Sequence, residues 1–171
     1  YEIGDPQAYM LPDVVCDFSQ VKIEQVGPHR VRVSNAKGYA PTATYKCSTT
    51  YEDGFRVGNL VAIGGIDAAA KARRTGEAVL KRMDGILRER NWGPFTETSI
   101  EVLGDEDSYG PHKRHVGGRE AVLKLAAKHA RKEPLEIMMR ELTSSGTSFA
   151  PGTSGYAGLR PKVTPVVRHF S

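Results

Sequence analysis

The sequence predicts an α+β fold: a mostly antiparallel sheet of five to seven strands with two helices packed on one face. Three observations lead there. Residues 45–63 alternate in polarity around Asp53-Gly54, the rhythm changes to a helical one just after Gly64-Gly65, and a second amphipathic stretch opens at Pro134.

Val21 and Ile23 alternate with Lys22 and Glu24, and Val31 and Val33 with Arg30 and Arg32, so two strands meet across the turn residues Gly27-Pro28-His29. Farther on, Tyr45, Cys47, Thr49 and Tyr51 point one way and Lys46, Ser48, Thr50 and Glu52 the other. Asp53-Gly54 then reads as a two-residue hairpin, because Gly accepts the positive φ of a primed turn and Asp tolerates it. Phe55, Val57, Val61 and Ile63 continue the alternation. Leu60 and Ala62 make that end apolar on both faces, which predicts that it is covered.

Beyond Ile63 a 3.6-residue wheel gathers Ala69, Ala72, Gly76, Val79, Met83, Ile86 and Leu87 into one stripe. Lys71, Arg73, Arg74, Glu77, Lys81, Arg82, Asp84 and Arg88 fall outside it and form a solvated face. Asp67 is expected to cap this helix, Gly76 to let a strand approach, and Glu77 to attract Lys81 at i,i+4. Ile100 and Val102 opposite Ser99 and Glu101 predict a strand over residues 98–103. The run at 120–128 fits either element: its Ala and Leu favour a helix, its shortness after Gly117-Gly118 a strand. Pro134 suits a first helical turn, with Leu135, Met138, Met139 and Leu142 as the apolar face and an end near Thr143. Residues 144–161 are rich in Gly, Ser, Thr and Pro, and residues 163–170 read as an edge strand because Pro165 cannot donate to a ladder.

With 171 residues, 39% hydrophobic and 26% charged, the chain is expected to form one domain over residues 1–171. The net charge of +4 is dispersed among interleaved acids, which argues against nucleic acid as a partner. No apolar run of about 18 residues and no leader-like start is present, so a cytoplasmic protein without a membrane partner is expected. Cys16 and Cys47 lack ligand spacing, so packed, reduced thiols are expected in place of a zinc site or a disulfide framework, with a lone disulfide between them left open; no metal is expected, and no cofactor. A first residue other than Met suggests a piece of a larger polypeptide.

Two places invite a ligand. Gly64 and Gly65 precede a helix N-terminus whose N–H groups and dipole favour an anion, although the Asp67 carboxylate competes for them. The loop at 147–160 is the stronger candidate: Gly152, Thr153, Ser154, Gly155 and Gly158 let backbone approach a ligand or a subunit, and Arg160 can grip a carboxylate or phosphate. The same loop also fits a plain connector. Ser154 fails as a nucleophile elbow because Tyr156 stands where the motif needs Gly. Asp105, Glu106, Asp107, His112 and His115 read as a mobile, solvated loop, and Asp5, Asp13 and Asp17 as turn and cap residues.

Taken in order, Tyr1-Glu-Ile-Gly-Asp-Pro6, the segment 9–18, Val31-Arg-Val-Ser34, the segment 64–73 and Ala150-Pro-Gly-Thr-Ser-Gly-Tyr-Ala-Gly-Leu-Arg-Pro161 resemble the acyclic terpene utilisation AtuA-type proteins. The resemblance spans essentially the whole chain and covers the C-terminal portion of the usual core domain. It implies a strand at 120–128, and the N-terminal portion of the same polypeptide as a partner. It also implies a role in catabolism of citronellol- and geraniol-type terpenes, with a branched acyl-CoA or related carboxylate as ligand. Leu159 stands where the family often has a second Gly. No catalytic residue follows from the resemblance. Two functions remain open: an enzyme subunit in which Arg160 holds the anionic end of the ligand, and a non-catalytic interaction domain that completes the parent fold and assembles a homo-oligomer.

Overall fold

A computed structural model describes residues 3–45, 47–114, 117–156, 158 and 160–170. The expectations placed on Tyr1, Glu2, Lys46, His115 and Leu159 lie outside the described residues. The chain divides into two compact units, residues 1–50 with 169–171, and residues 51–168.

In the first unit, β1 (Tyr9–Met10), β2 (Val15–Asp17) and β5 (Lys37–Tyr39) form a three-stranded antiparallel sheet in the order β1-β2-β5. These strands are two or three residues long, too short for alternation to reveal them. Asp5 and Asp17 serve turns as expected: their carboxylates accept from the Gln7 and Ser19 N–H groups at 2.9 and 2.8 Å. β3 (Lys22–Gly27) and β4 (Arg30–Ser34) pair as a separate two-stranded sheet, turning where the sequence predicts, with His29 at φ 55°.

The second unit is built on β6 (Thr49–Gly64), whose first two residues belong to the first unit. Here the structure corrects the hairpin: Asp53-Gly54 lies inside one continuous strand. Gly54 does take a positive φ of 74°, but as a kink at the point where pairing with β8 (Glu120–His129) begins; a Cβ there would lie 2.7 Å from the His129 carbonyl oxygen. The true antiparallel partner of residues 55–64 is therefore residues 120–129. β7 (Glu97–Leu103) pairs with the other edge of β8, β9 (Thr153–Tyr156) pairs with residues 61–63 of β6, and β10 (Thr164–Phe170) is the edge strand in the order β10-β6-β8-β7. This five-stranded antiparallel sheet with helices beside it is the α+β architecture expected, and the ambiguous run at 120–128 is a strand.

α1 (Ala68–Glu89) and α2 (Glu133–Ser148) pack on one face of that sheet and on each other. Ala69, Ala72, Gly76, Val79, Met83 and Leu87 are buried along the predicted stripe, and Ile86 is half-buried. They meet Val57, Val61, Ile63, Leu123, Leu125 and Val102, every second residue of the strands. Gly76 is the point of closest approach, its absent Cβ leaving room for Ile100 Cγ2 and Leu123 Cδ1, each 3.2 Å from where it would lie. Pro134 occupies the first turn of α2 as predicted, and the helix runs on past Thr143 to Ser148. No helix among the described residues is long and apolar enough to cross a membrane.

Candidate functional site

The two candidate segments, far apart in sequence, meet. β6 ends at Gly64, and the chain must leave the sheet and enter α1 within three residues, which Gly65 permits with a φ of 92°. Gly65 N–H donates to the Arg119 carbonyl at 2.8 Å, and Gly64 N–H donates to the Gly152 carbonyl at 2.8 Å. The Gly-rich segment is therefore not a free loop; part of it is β9, with Gly155 opposite Ala62 and Thr153 opposite Ile63. A Cβ on Gly152, at φ 96°, would collide with the Gly64 carbonyl oxygen.

Lys71, one turn into α1, closes this junction. Its half-buried ammonium donates to the Gly64 carbonyl and to the Pro151 carbonyl, both at 2.9 Å. A Cβ added to Gly65 or Gly152 would come within 3.4 Å of its Nζ, so both glycines are part of the cradle. An ammonium has three donors, and these bonds use two of them. Two recesses open here: one of about 570 Å³ lined by Gly64, Gly65, Arg119 and Glu120, and one of about 540 Å³ where Ala62, Val122 and Leu103 give an apolar wall beside Gly152 and Ser154.

Asp67 corrects the capping expectation. It adopts a left-handed conformation, φ 57° and ψ 34°, and its carboxylate makes no cap hydrogen bond. Its backbone carbonyl accepts from Lys71 N–H at 2.9 Å instead. No acidic residue lies in the first turn of α1, so no capping carboxylate competes for its N–H groups.

The other loop residues divide. Ser154 Oγ donates to the Ala62 carbonyl at 3.2 Å and Thr153 Oγ1 to the Ala150 carbonyl at 2.9 Å, so both hydroxyls tie the strand down. Gly158, at φ 122°, is exposed. Arg160 is brought elsewhere, to a recess of about 430 Å³ with Lys132, Glu136, Arg140 and Lys162 beside α2. Tyr156 bonds Thr143 through its hydroxyl, anchoring β9 to α2.

The carboxylates of Asp105 and Asp107, in the acidic segment after β7, are held in ion pairs, which corrects the expectation that they are solvated. Asp107 accepts from Arg73 Nη2 at 2.7 and 2.8 Å and from Val102 N–H at 2.7 Å, and Asp105 pairs with Lys113. Burial opposes ionisation of Asp107, but the Val102 N–H and the Arg73 guanidinium outweigh it and hold its carboxyl below the ordinary value. His112 is exposed, and among the described residues no group of three or more His, Cys, Asp or Glu is placed to hold a metal ion.

Neither Lys71 nor Arg119 stands out in the sequence as a site residue. Lys71 sits outside the apolar stripe and reads as solvated; the carbonyl that reveals its role, Pro151, is 80 residues farther along. A model of one protein family, described as acyclic terpene utilisation family protein AtuA, matches residues 1–171. No curated protein and no solved structure matches the chain.

Proposed function

The chain belongs to the acyclic terpene utilisation family AtuA along its whole length, and from that premise we propose that it binds a branched acyl-CoA or related carboxylate at the Gly64–Gly152 junction. The family-level role is acyclic terpene utilisation. The single observation that supports the junction is the Lys71 ammonium, held by the Gly64 and Pro151 carbonyls between two positive-φ glycines. That arrangement fixes a cation where backbone can approach a ligand without side-chain interference. Arg119 adds a second cation at the rim, and Ala62, Val122 and Leu103 offer apolar surface to an acyl portion. In this reading the junction supplies part of a binding site, and Arg160 is a secondary contact for a long ligand.

Isothermal titration with a branched acyl-CoA tests this. Lys71→Met and Arg119→Ala are each expected to weaken binding by about tenfold or more, with thermal melting as the control for folding. Unchanged affinity in both folded variants would remove the junction from the account, and an unchanged Arg160→Ala would remove that residue alone.

One observation favours a second reading, self-association. On β3 and β4 the cross-strand neighbours Ile23 and Val33 are 72% and 63% exposed, with Val31 beside them at 52%. An isolated two-stranded sheet with an open apolar face is marginal in water, and a second copy pairing there would complete it. Light scattering on the wild type and on Val33→Glu tests this: a larger species that the substitution dissolves supports the reading, and a monomer in both cases removes it.

A further inference from the structure

Gly58 sits in the middle of β6, on the face of the sheet turned away from the helices, directly opposite Ala126 of β8. Nothing in the backbone requires glycine there. Its φ is not among the positive ones, and a Cβ would meet only the Ala126 Cβ, at an ordinary 3.8 Å. Glycine inside a strand costs about 0.5–1 kcal/mol relative to alanine, and a strand glycine that serves no bend or bulge is often one that a ligand or another backbone approaches closely. The consequence here is a groove of about 540 Å³ floored by Gly58 and Ala126, with Val166 of β10 on one side and Ser99 of β7 on the other. That volume lies within the range of about 300–1,000 Å³ typical of small-molecule sites.

The charges around the groove are unbalanced. Asp53 and Glu97, its acidic neighbours, are committed: Lys128 donates to Asp53 at 2.6 Å and to Glu97 at 3.1 Å, and Arg168 bonds both, reaching Glu97 at 2.8 Å. Arg56 and Lys162 also line the groove, and neither has an acidic partner among the described residues.

We propose that this groove binds an aliphatic carboxylate, its chain lying over Gly58, Ala126 and Val166 and its carboxylate between Arg56 and Lys162. The guanidinium offers paired donors to both oxygens, and Lys162 adds a point charge. None of these residues lines the Gly64–Gly152 recesses, so the inference goes beyond the function proposed above; Lys162 also borders the recess that holds Arg160, and Gly58 therefore carries the separate test.

Titration of the full chain with decanoate, with decylammonium as the opposite-charge control, tests it. Saturable decanoate binding is expected, with decylammonium weaker by about tenfold or more. Gly58→Leu, which fills the groove, and the double variant Arg56→Ala/Lys162→Ala are each expected to lower decanoate affinity by about tenfold while the urea midpoint confirms folding. If Gly58→Leu does not fold, Gly58→Ala and the double variant carry the test. Absence of decanoate binding, equal binding of decylammonium, or full affinity in the folded variants overturns the proposal.

Discussion

Gly64 and Gly152 are bound back to back: the Gly64 N–H donates to the Gly152 carbonyl at 2.8 Å, and a Cβ on Gly152 would strike the Gly64 carbonyl oxygen. That contact joins the end of a central strand to a segment nearly ninety residues later, and Lys71 locks it from the helix side.

Gly152 and Gly58 are therefore expected to respond oppositely to alanine. Gly152→Ala meets both a φ of 96° and a backbone collision, and should destabilise by about 2 kcal/mol or more. Gly58→Ala should leave stability unchanged or raise it by up to about 1 kcal/mol. Urea unfolding measures both.

Asn59 is 3% exposed, and neither its amide nitrogen nor its oxygen has a hydrogen-bond partner among the described residues. It faces the helices from the same side of the sheet as its cross-strand neighbour Leu125. A buried unpaired amide costs about 1–3 kcal/mol, so the near-isosteric Asn59→Leu is expected to raise the thermal midpoint. A lowered midpoint would show that the amide is satisfied in solution, by water or by a ligand.

Gly76 permits α1 to lie on β7 and β8, with Ile100 Cγ2 and Leu123 Cδ1 each 3.2 Å from the position of a Cβ. Gly76→Val adds three carbons to that contact and is expected to destabilise by about 1–3 kcal/mol despite the better helix propensity, as read by chemical denaturation.

The pair Asp53 and Lys128 predicts an acid dependence. Lys128 is the main cause that holds the Asp53 carboxyl below its ordinary 3.8, with Arg168 adding to it against desolvation. A carboxyl whose pKa is depressed on folding stabilises above its unfolded pKa, and the contribution disappears as pH falls through the folded value. Asp53→Asn is therefore expected to lose less stability than the wild type between about pH 5 and about pH 2. Urea midpoints across that range measure it, and parallel curves would exclude the pair as a contributor.

The helix on the sheet was legible because its evidence is local: the stripe from Ala69 to Leu87 is continuous, and Val79 and Met83 are buried as it requires, at 1% and 0% exposure. Asp53-Gly54 misled for the same reason. The dipeptide signals a positive φ, and Gly54 has one, but whether that bend reverses the chain depends on residues 120–129, which local spacing cannot weigh. Asp67 likewise has the right residue type for a cap and the wrong backbone for it. Gly64 and Gly65 were visible as the break before a helix N-terminus and Gly152 as a close-approach position; their meeting, and the lysine that holds them, depend on pairing between β6 and β9.

Amide chemical-shift mapping of the full chain during titration with a branched acyl-CoA distinguishes binding at the Gly64–Gly152 junction from binding elsewhere. Saturable shifts are expected at Gly64, Gly65, Lys71, Arg119 and Gly152, whose N–H groups and neighbours form the junction. Saturable shifts that leave those amides unmoved and cluster elsewhere would contradict it.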